Sequence, residues 1–268
     1  MLVEEKTWQP TLQFEPDTVY VPDAPSIEGL SFRRFRGELD YPAMADVIAG
    51  SKEADGIERV DTADDVARVY GHLTHCDPHE DVLFAEIDSL VIGYSRVWWH
   101  QQFDGIRSYN HFAFLLPQWR GRGIRRAMVR RSEWRGDVMA AGQPLGSEQV
   151  FESWAADTEV HWKSLLVSEG YESARYHYDM VRPDLEEIPE LPLPEGLEVR
   201  PVPLEHCYMV WKAGEGAFRD HWGASEWEDE RFEEMLESPT FQPHLWQVAW
   251  DGDEGGGDGP ELHRREGE

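Results

Sequence analysis

Between Gly105 and Ser132 the chain carries no Asp or Glu, although 53 acidic residues in 268 would place five or six there. The same span holds seven arginines: Arg107, Arg120, Arg122, Arg125, Arg126, Arg130 and Arg131. Its centre reads Phe112-Ala-Phe-Leu-Leu-Pro-Gln-Trp-Arg-Gly-Arg-Gly-Ile124, an apolar strand, a proline and a glycine-bearing turn that opens a helix. Such a segment can cradle an anion. Glycines let the backbone approach closely, and the first N–H groups of a helix lack internal partners. The helix dipole adds positive potential, and arginines add charge-assisted bonds to phosphate. Arg130, Arg131 and Arg135 lie further along the helix, where a solvated charged face is the simpler reading.

The elements that must position this turn follow from periodicity. Ser31–Gly37 reads as a short strand, and Tyr41–Asp55 as an amphipathic helix with Met44, Val47 and Ile48 on one face. Asp61 and Thr62 cap a second helix carrying Val66, Val69, Tyr70 and Leu73, which ends before Pro78. Val82–Ile87 and Leu90–Trp99 form a hairpin about Asp88-Ser89, and Arg107–Leu116 is the next strand. A helix over Gly121–Ala141, a strand over Gln149–Ala155, a helix over Thr158–Ser168 and a last strand over Arg175–Val181 complete the unit.

Pro183–Gly196, with four prolines, reads as a stiff linker. Strand, helix, helix, strand then recurs from Leu197 to Trp250, which suggests an internal duplication. The second copy stops near residue 254, and the Gly-rich residues 255–268 read as a disordered tail. The expected domains are therefore an N-terminal extension (1–30), a complete unit (31–182), the linker (183–196) and a partial copy (197–254).

Leu115-Leu-Pro-Gln-Trp-Arg-Gly-Arg-Gly-Ile124 resembles the acetyl-coenzyme A (acetyl-CoA) motif of the GNAT acetyltransferases, Gln/Arg-x-x-Gly-x-Gly/Ala at a helix start. The element order over 31–182 is similar to that fold, and the shortened repeat to its tandem, mycothiol-synthase-like group. The resemblance implies an α/β fold, with a mixed, mostly antiparallel central sheet of splayed strands flanked by helices. It implies that pantetheine pairs with Phe114, Leu115 and Leu116. The diphosphate would rest on the turn of Gln118, Trp119, Arg120, Gly121, Arg122, Gly123, Ile124 and Arg125. The activity implied is N-acetyl transfer from acetyl-CoA to an amine of a small molecule or peptide by direct attack. The alternative is an acyl-CoA-binding module whose active half is missing.

Two registers fit the motif. The one starting at Gln118 matches throughout, whereas the one starting at Arg120 puts Arg125 where a small residue is usual, to crowd the phosphate or to bond to it. The tyrosine acid frequent in the family's late helix is replaced by Leu166, and the strand before the motif lacks the frequent glutamate base. It offers Tyr109, Asn110 and His111 instead. A neutral imidazole at His111 could accept a proton from an ammonium substrate, or could be a satisfied sheet residue. Tyr109 is the second catalytic candidate.

His72, His75, Cys76 and His79 follow helical spacing, but Pro78 separates His79 from the rest, and no metal site is expected. Neither the nucleophile elbow G-x-S-x-G nor a P-loop occurs. The net charge of −28 opposes nucleic acid and anionic membrane as partners. Two cysteines and the lack of a long apolar run suggest a cytoplasmic protein. An open sheet edge in the unfinished copy would favour a homo-oligomer.

Overall fold

Tyr41–Asp55 (α1) begins beside Pro42, whose fixed φ suits a first helical turn, and stops at Gly56, left-handed at φ 63°. Ala63–Gly71 (α2) opens on a reciprocal capping box. The Thr62 hydroxyl accepts from the Asp65 N–H, and the Asp65 carboxylate accepts from the Thr62 N–H. The computed structural model describes residues 17–251 except 59–60, 144–147 and 185, so the expected tail over 255–268 lies outside the described residues. Leu73 falls beyond α2, and Pro78 starts a separate turn, Pro78–Asp81 (α3), instead of merely following a helix end.

Strands Leu30–Arg34 (β1), Val82–Ile87 (β2), Leu90–Gln101 (β3), Arg107–Leu115 (β4) and Gln149–Glu152 (β5) form one sheet in the order β1-β2-β3-β4-β5. The first four are antiparallel, and β5 joins parallel to β4. Asp88 and Ser89 turn the β2–β3 hairpin at φ 49° and 68°, a conformation short polar residues tolerate. Ile124–Ala141 (α4) and Val160–Ser168 (α5) cover one face over a core that includes Ile92, Leu115, Met128 and Trp162. Helices α1 and α2 cover the other, packing Met44, Val47 and Val66 on Phe84 and Tyr94.

The pairing of β5 with β4 runs only from Arg107↔Gln149 to Asn110↔Glu152, and the two strands then part. That divergence is the expected splay.

The last strand expected over Arg175–Val181 does not form. With only four residues paired in β5, no strand is long enough to receive it, and Tyr176, Tyr178, Met180 and Val181 stay exposed. Residues 17–19 of the N-terminal extension instead run along β1, where the Val19 N–H donates to the Phe32 carbonyl and Val21 is buried.

After the linker, Leu197–Pro201 (β6), Cys207–Phe218 (α6), Asp229–Glu237 (α7) and Gln247–Asp251 (β7) give the expected strand, helix, helix, strand order. β6 and β7 pair alone as a two-stranded sheet, and the buried core is small: Val202, Cys207 and Phe232. α7 leans on α2 through Arg68–Glu234 (2.6 Å) and His72–Glu237 (3.0 Å), with His75–Glu228 (3.2 Å) beside them. No helix among the described residues is long and apolar enough to cross a membrane.

Candidate functional site

The turn between β4 and α4 is built by two glycines that no other residue would replace without strain. Gly121 sits at φ 74° and Gly123 at φ 88°. The space beside the Gly121 α-carbon is open, and only Pro25 approaches Gly123, 3.6 Å from where a β-carbon would stand. Trp119 and Arg120 spend their N–H groups on the carbonyls of Leu116 and Pro117. From Gly121 to Arg126 no N–H has a hydrogen-bond partner among the described residues, and Gly123 caps α4 without a side-chain bond. Six consecutive donors therefore meet at the positive end of an 18-residue helix, the arrangement that binds phosphate oxygens.

The arginines around this turn divide in a way local composition hid. Arg120 forms a bidentate ion pair with Asp55 at the end of α1, at 2.6 and 2.8 Å. Arg126 and Arg130 share Glu169, which they hold below the usual carboxylate range against the opposing effect of desolvation. Arg135 pairs with Asp81 (2.6 Å), and Arg131 lies over Trp134. Acid absent from 105–132 in sequence thus returns through space. Arg122, exposed and resting on the Trp119 ring at 4.9 Å, has no acidic partner among the described residues.

Beyond Asn110, the edge of β4 that β5 abandons is capped by side chains. The carbonyls of His111, Ala113 and Leu115 accept from Ser153 Oγ (2.8 Å), Arg125 Nε (2.5 Å) and Arg120 Nε (3.0 Å). Arg125 is 3% exposed, and its guanidinium lies 4.1 Å from the Trp162 ring centre. Burial, then the neighbouring Arg120 charge, lowers its pKa to about 10. One of its terminal nitrogens, Nη1, is buried without a partner. The Arg125 side chain turns from the phosphate turn into the splay.

His111 and Tyr109 point into the core beneath α4 and α5, each 1% exposed. His111 Nε2 lies 2.7 Å from Tyr171 Oη, which donates to Glu133 at 2.9 Å, while Nδ1 is buried and unpaired. Burial lowers the His111 pKa to about 4, so the ring is neutral at pH 7. The Tyr109 hydroxyl is buried without a partner beside Phe151. Phe114 and Leu116 pack against the α1–α2 side, and Leu115 and Ile124 lie in the core under α4. Gln118 is exposed at the turn. Sequence spacing gave no sign of Asp55, Tyr171 or Glu133, because each reaches the site across the fold. His72, His75 and His79 face Glu237, Glu228 and the Phe35 carbonyl.

A sheet whose fourth and fifth strands splay, with an anion-ready turn opening the helix after the fourth, defines a GNAT-type acetyltransferase fold. In fold and in sequence the chain is similar to GNAT-type N-acetyltransferases. It is 28% identical over 220 residues to a mycothiol acetyltransferase of Geodermatophilus obscurus, across 80% of this chain and 67% of that one. A mycothiol acetyltransferase of Salinispora arenicola is 26% identical over 218 residues, across 80% and 65%. The chain thus spans about two thirds of the length of these curated relatives. Among solved structures, a GCN5-related N-acetyltransferase from Sphaerobacter thermophilus superposes with a TM-score of 0.57 at 23% identity, over 84% of this chain and 68% of that one. No protein-family model matches the chain.

Proposed function

We propose that this chain is an acetyl-CoA-dependent N-acetyltransferase that moves the acetyl group to an amine of a small molecule or peptide. The observation that carries the reading is the run of unpaired N–H groups from Gly121 to Arg126 at the α4 terminus. A diphosphate fits that turn, with Arg122 free to close on it. Acetyl-CoA supplies an acyl thioester that a neutral amine can attack directly. Gln118, Trp119, Arg120, Gly121, Arg122, Gly123 and Ile124 would hold its diphosphate end. Phe114, Leu115 and Leu116 would flank the arm, and Arg125 would have to leave the Ala113 carbonyl for the arm to pair there. His111, neutral and joined to Tyr171, is placed to steady the strand, and Tyr109 beside it packs the core. The ammonium would lose its proton to solvent before attack, and as the C–N bond forms the C–S bond would break, CoA leaving as a thiolate that solvent protonates.

A second reading is favoured by the capped β4 edge: the chain holds acyl-CoA without turning it over, as one half of a tandem protein. The acetyl group would be bound and not transferred. The two unpaired cysteines, Cys76 and Cys207, suit a cytoplasmic setting, and the open edges of the β6–β7 pair suit association with a second copy.

Calorimetric titration with acetyl-CoA, followed by thiol release in the presence of an amine panel, separates these readings. Micromolar binding with amine-dependent release supports transfer, binding without release supports the holding role, and no binding removes both.

A further inference from the structure

On the sheet face opposite α4 lies a cavity of about 210 Å³ between α1, α2 and the β3–β4 pair. Its walls include Ile48, Val66, Tyr70, Tyr94, Phe112 and Phe114, and one basic side chain, Arg96, enters it. The Arg96 guanidinium carbon is 5.2 Å from the Tyr70 ring centre, 4.8 Å from Trp98 and 5.2 Å from Phe112. Its Nε is buried without a hydrogen-bond partner, and no carboxylate among the described residues forms an ion pair with it. The Tyr70 hydroxyl, in the same wall, is buried with no polar neighbour but Arg96. Burial raises its pKa, so it stays a donor. The buried arginines around the sheet each have an oxygen: Arg33 holds Asp40 and Glu86, Arg107 holds Gln101, and Arg125, on α4, holds a carbonyl.

Ring faces stabilise a cation but leave its N–H groups unspent. Two neighbouring donors, one charged, converge in a cavity whose lining, apart from Asp61 and Asp65, is apolar or aromatic. That combination selects a small ligand with an apolar body and one planar oxyanion, which a guanidinium binds through paired hydrogen bonds.

We infer that this cavity receives the acyl acceptor, and that the acceptor is an amine bearing a carboxylate which Arg96 and Tyr70 bind. This rests on the acetyl-transfer reading above. Arg96 stands directly opposite Phe112 in the β3–β4 register. Backbone to backbone, β4 is therefore about one strand spacing, roughly 5 Å, from the residue that anchors the carboxylate. An amine a few bonds from its carboxylate spans that distance. Asp61, just before α2, and Asp65, in its first turn, both line the cavity, repelling a dianion and admitting a zwitterion.

The test is calorimetry on the full chain without acetyl-CoA, so that failure of cofactor binding does not obscure it. Probes are L-phenylalanine, 4-aminobenzoate and 4-aminobutyrate, each compared with its primary amide. At least one acid is expected to bind tenfold or more tightly than its amide. Arg96→Met should erase the difference and Arg96→Lys should restore part of it, with thermal melts confirming that both variants fold. Equal binding of acid and amide, binding of no probe, or a preference that survives Arg96→Met overturns the inference. If acids bind at Arg96 but acetyl-CoA does not bind the chain, the anion site stands and the acetyl-transfer reading falls.

Discussion

The turn at Gly121–Gly123 and the β4 edge at His111–Leu115 are the two ends of one path, and they are in opposite states. At the turn six N–H donors are unspent. Along the edge three successive outward carbonyls are already bonded, two of them by arginines that the same segment contributes. Identical chemistry, a cationic side chain near a backbone edge, thus leaves one end open and covers the other. The difference is where each side chain turns: Arg120 turns back to Asp55 and the Leu115 carbonyl. Arg122 precedes the helix and reaches solvent, whereas Arg125 follows Gly123 by two residues and is carried under the sheet.

The strongest way to break this contrast is to remove what holds Arg120 on the edge. Asp55→Asn deletes the charge opposite Arg120 in an ion pair whose side chains are 10% and 7% exposed. An uncompensated buried guanidinium costs about 3–5 kcal/mol, read as a lowered urea midpoint with unchanged slope. An unchanged midpoint would mean that Arg120 swings freely and the edge is not locked.

His111 sharpens the comparison from within the same strand. Its folded pKa of about 4 lies below the ordinary 6.5, so only the unfolded chain takes up the proton between those values. Stability contributed by the neutral ring is therefore complete above pH 6.5 and lost as pH falls towards 4, by about 3 kcal/mol at most. Carboxylates titrate in the same window, so the informative quantity is the difference between wild type and His111→Gln. That difference should shrink on acidification. A flat difference would place His111 in contact with solvent, and would revive it as a base.

At the open end, Gly123→Trp forces a bulky side chain into a left-handed position beside Pro25. Acetyl-CoA affinity should fall on the order of 100-fold, about 2.7 kcal/mol, because the backbone can no longer close on phosphate. A circular-dichroism melt separates this from unfolding.

Much of this was legible in the sequence, and the misses share a cause. The α1 boundaries, the Thr62 cap, the Asp88-Ser89 hairpin and the turn before α4 depend on neighbours within a few residues, so local spacing encodes them. The strand expected over Arg175–Val181 needed a long β5 to pair with, and pairing partners are not written locally. The positive island was half legible. Its arginines were visible, but Asp55 and Glu169, which neutralise three of them, come from α1 and the end of α5, and Asp81 of α3 takes Arg135 beyond it. Arg96 drew no notice because a single arginine in an alternating strand is ordinary until three rings enclose it.

The smallest effect is the most discriminating. Arg125 occupies a position where a small residue would leave the Ala113 carbonyl exposed, and the acyl arm must displace it to pair with the strand. A binding-competent arrangement populated only in part weakens apparent affinity by that fraction. Arg125→Ala removes the competitor and frees the Ala113 carbonyl. Acetyl-CoA should bind about tenfold more tightly to the variant, while free diphosphate, which uses only the turn, should bind both forms alike. If the variant instead binds acetyl-CoA more weakly, Arg125 swings out and serves as a ligand, and both ends of the path would then be open in the complex. Wild-type-like affinity for both probes would mean that the arm runs outside the splay, with the cradle alone holding the cofactor.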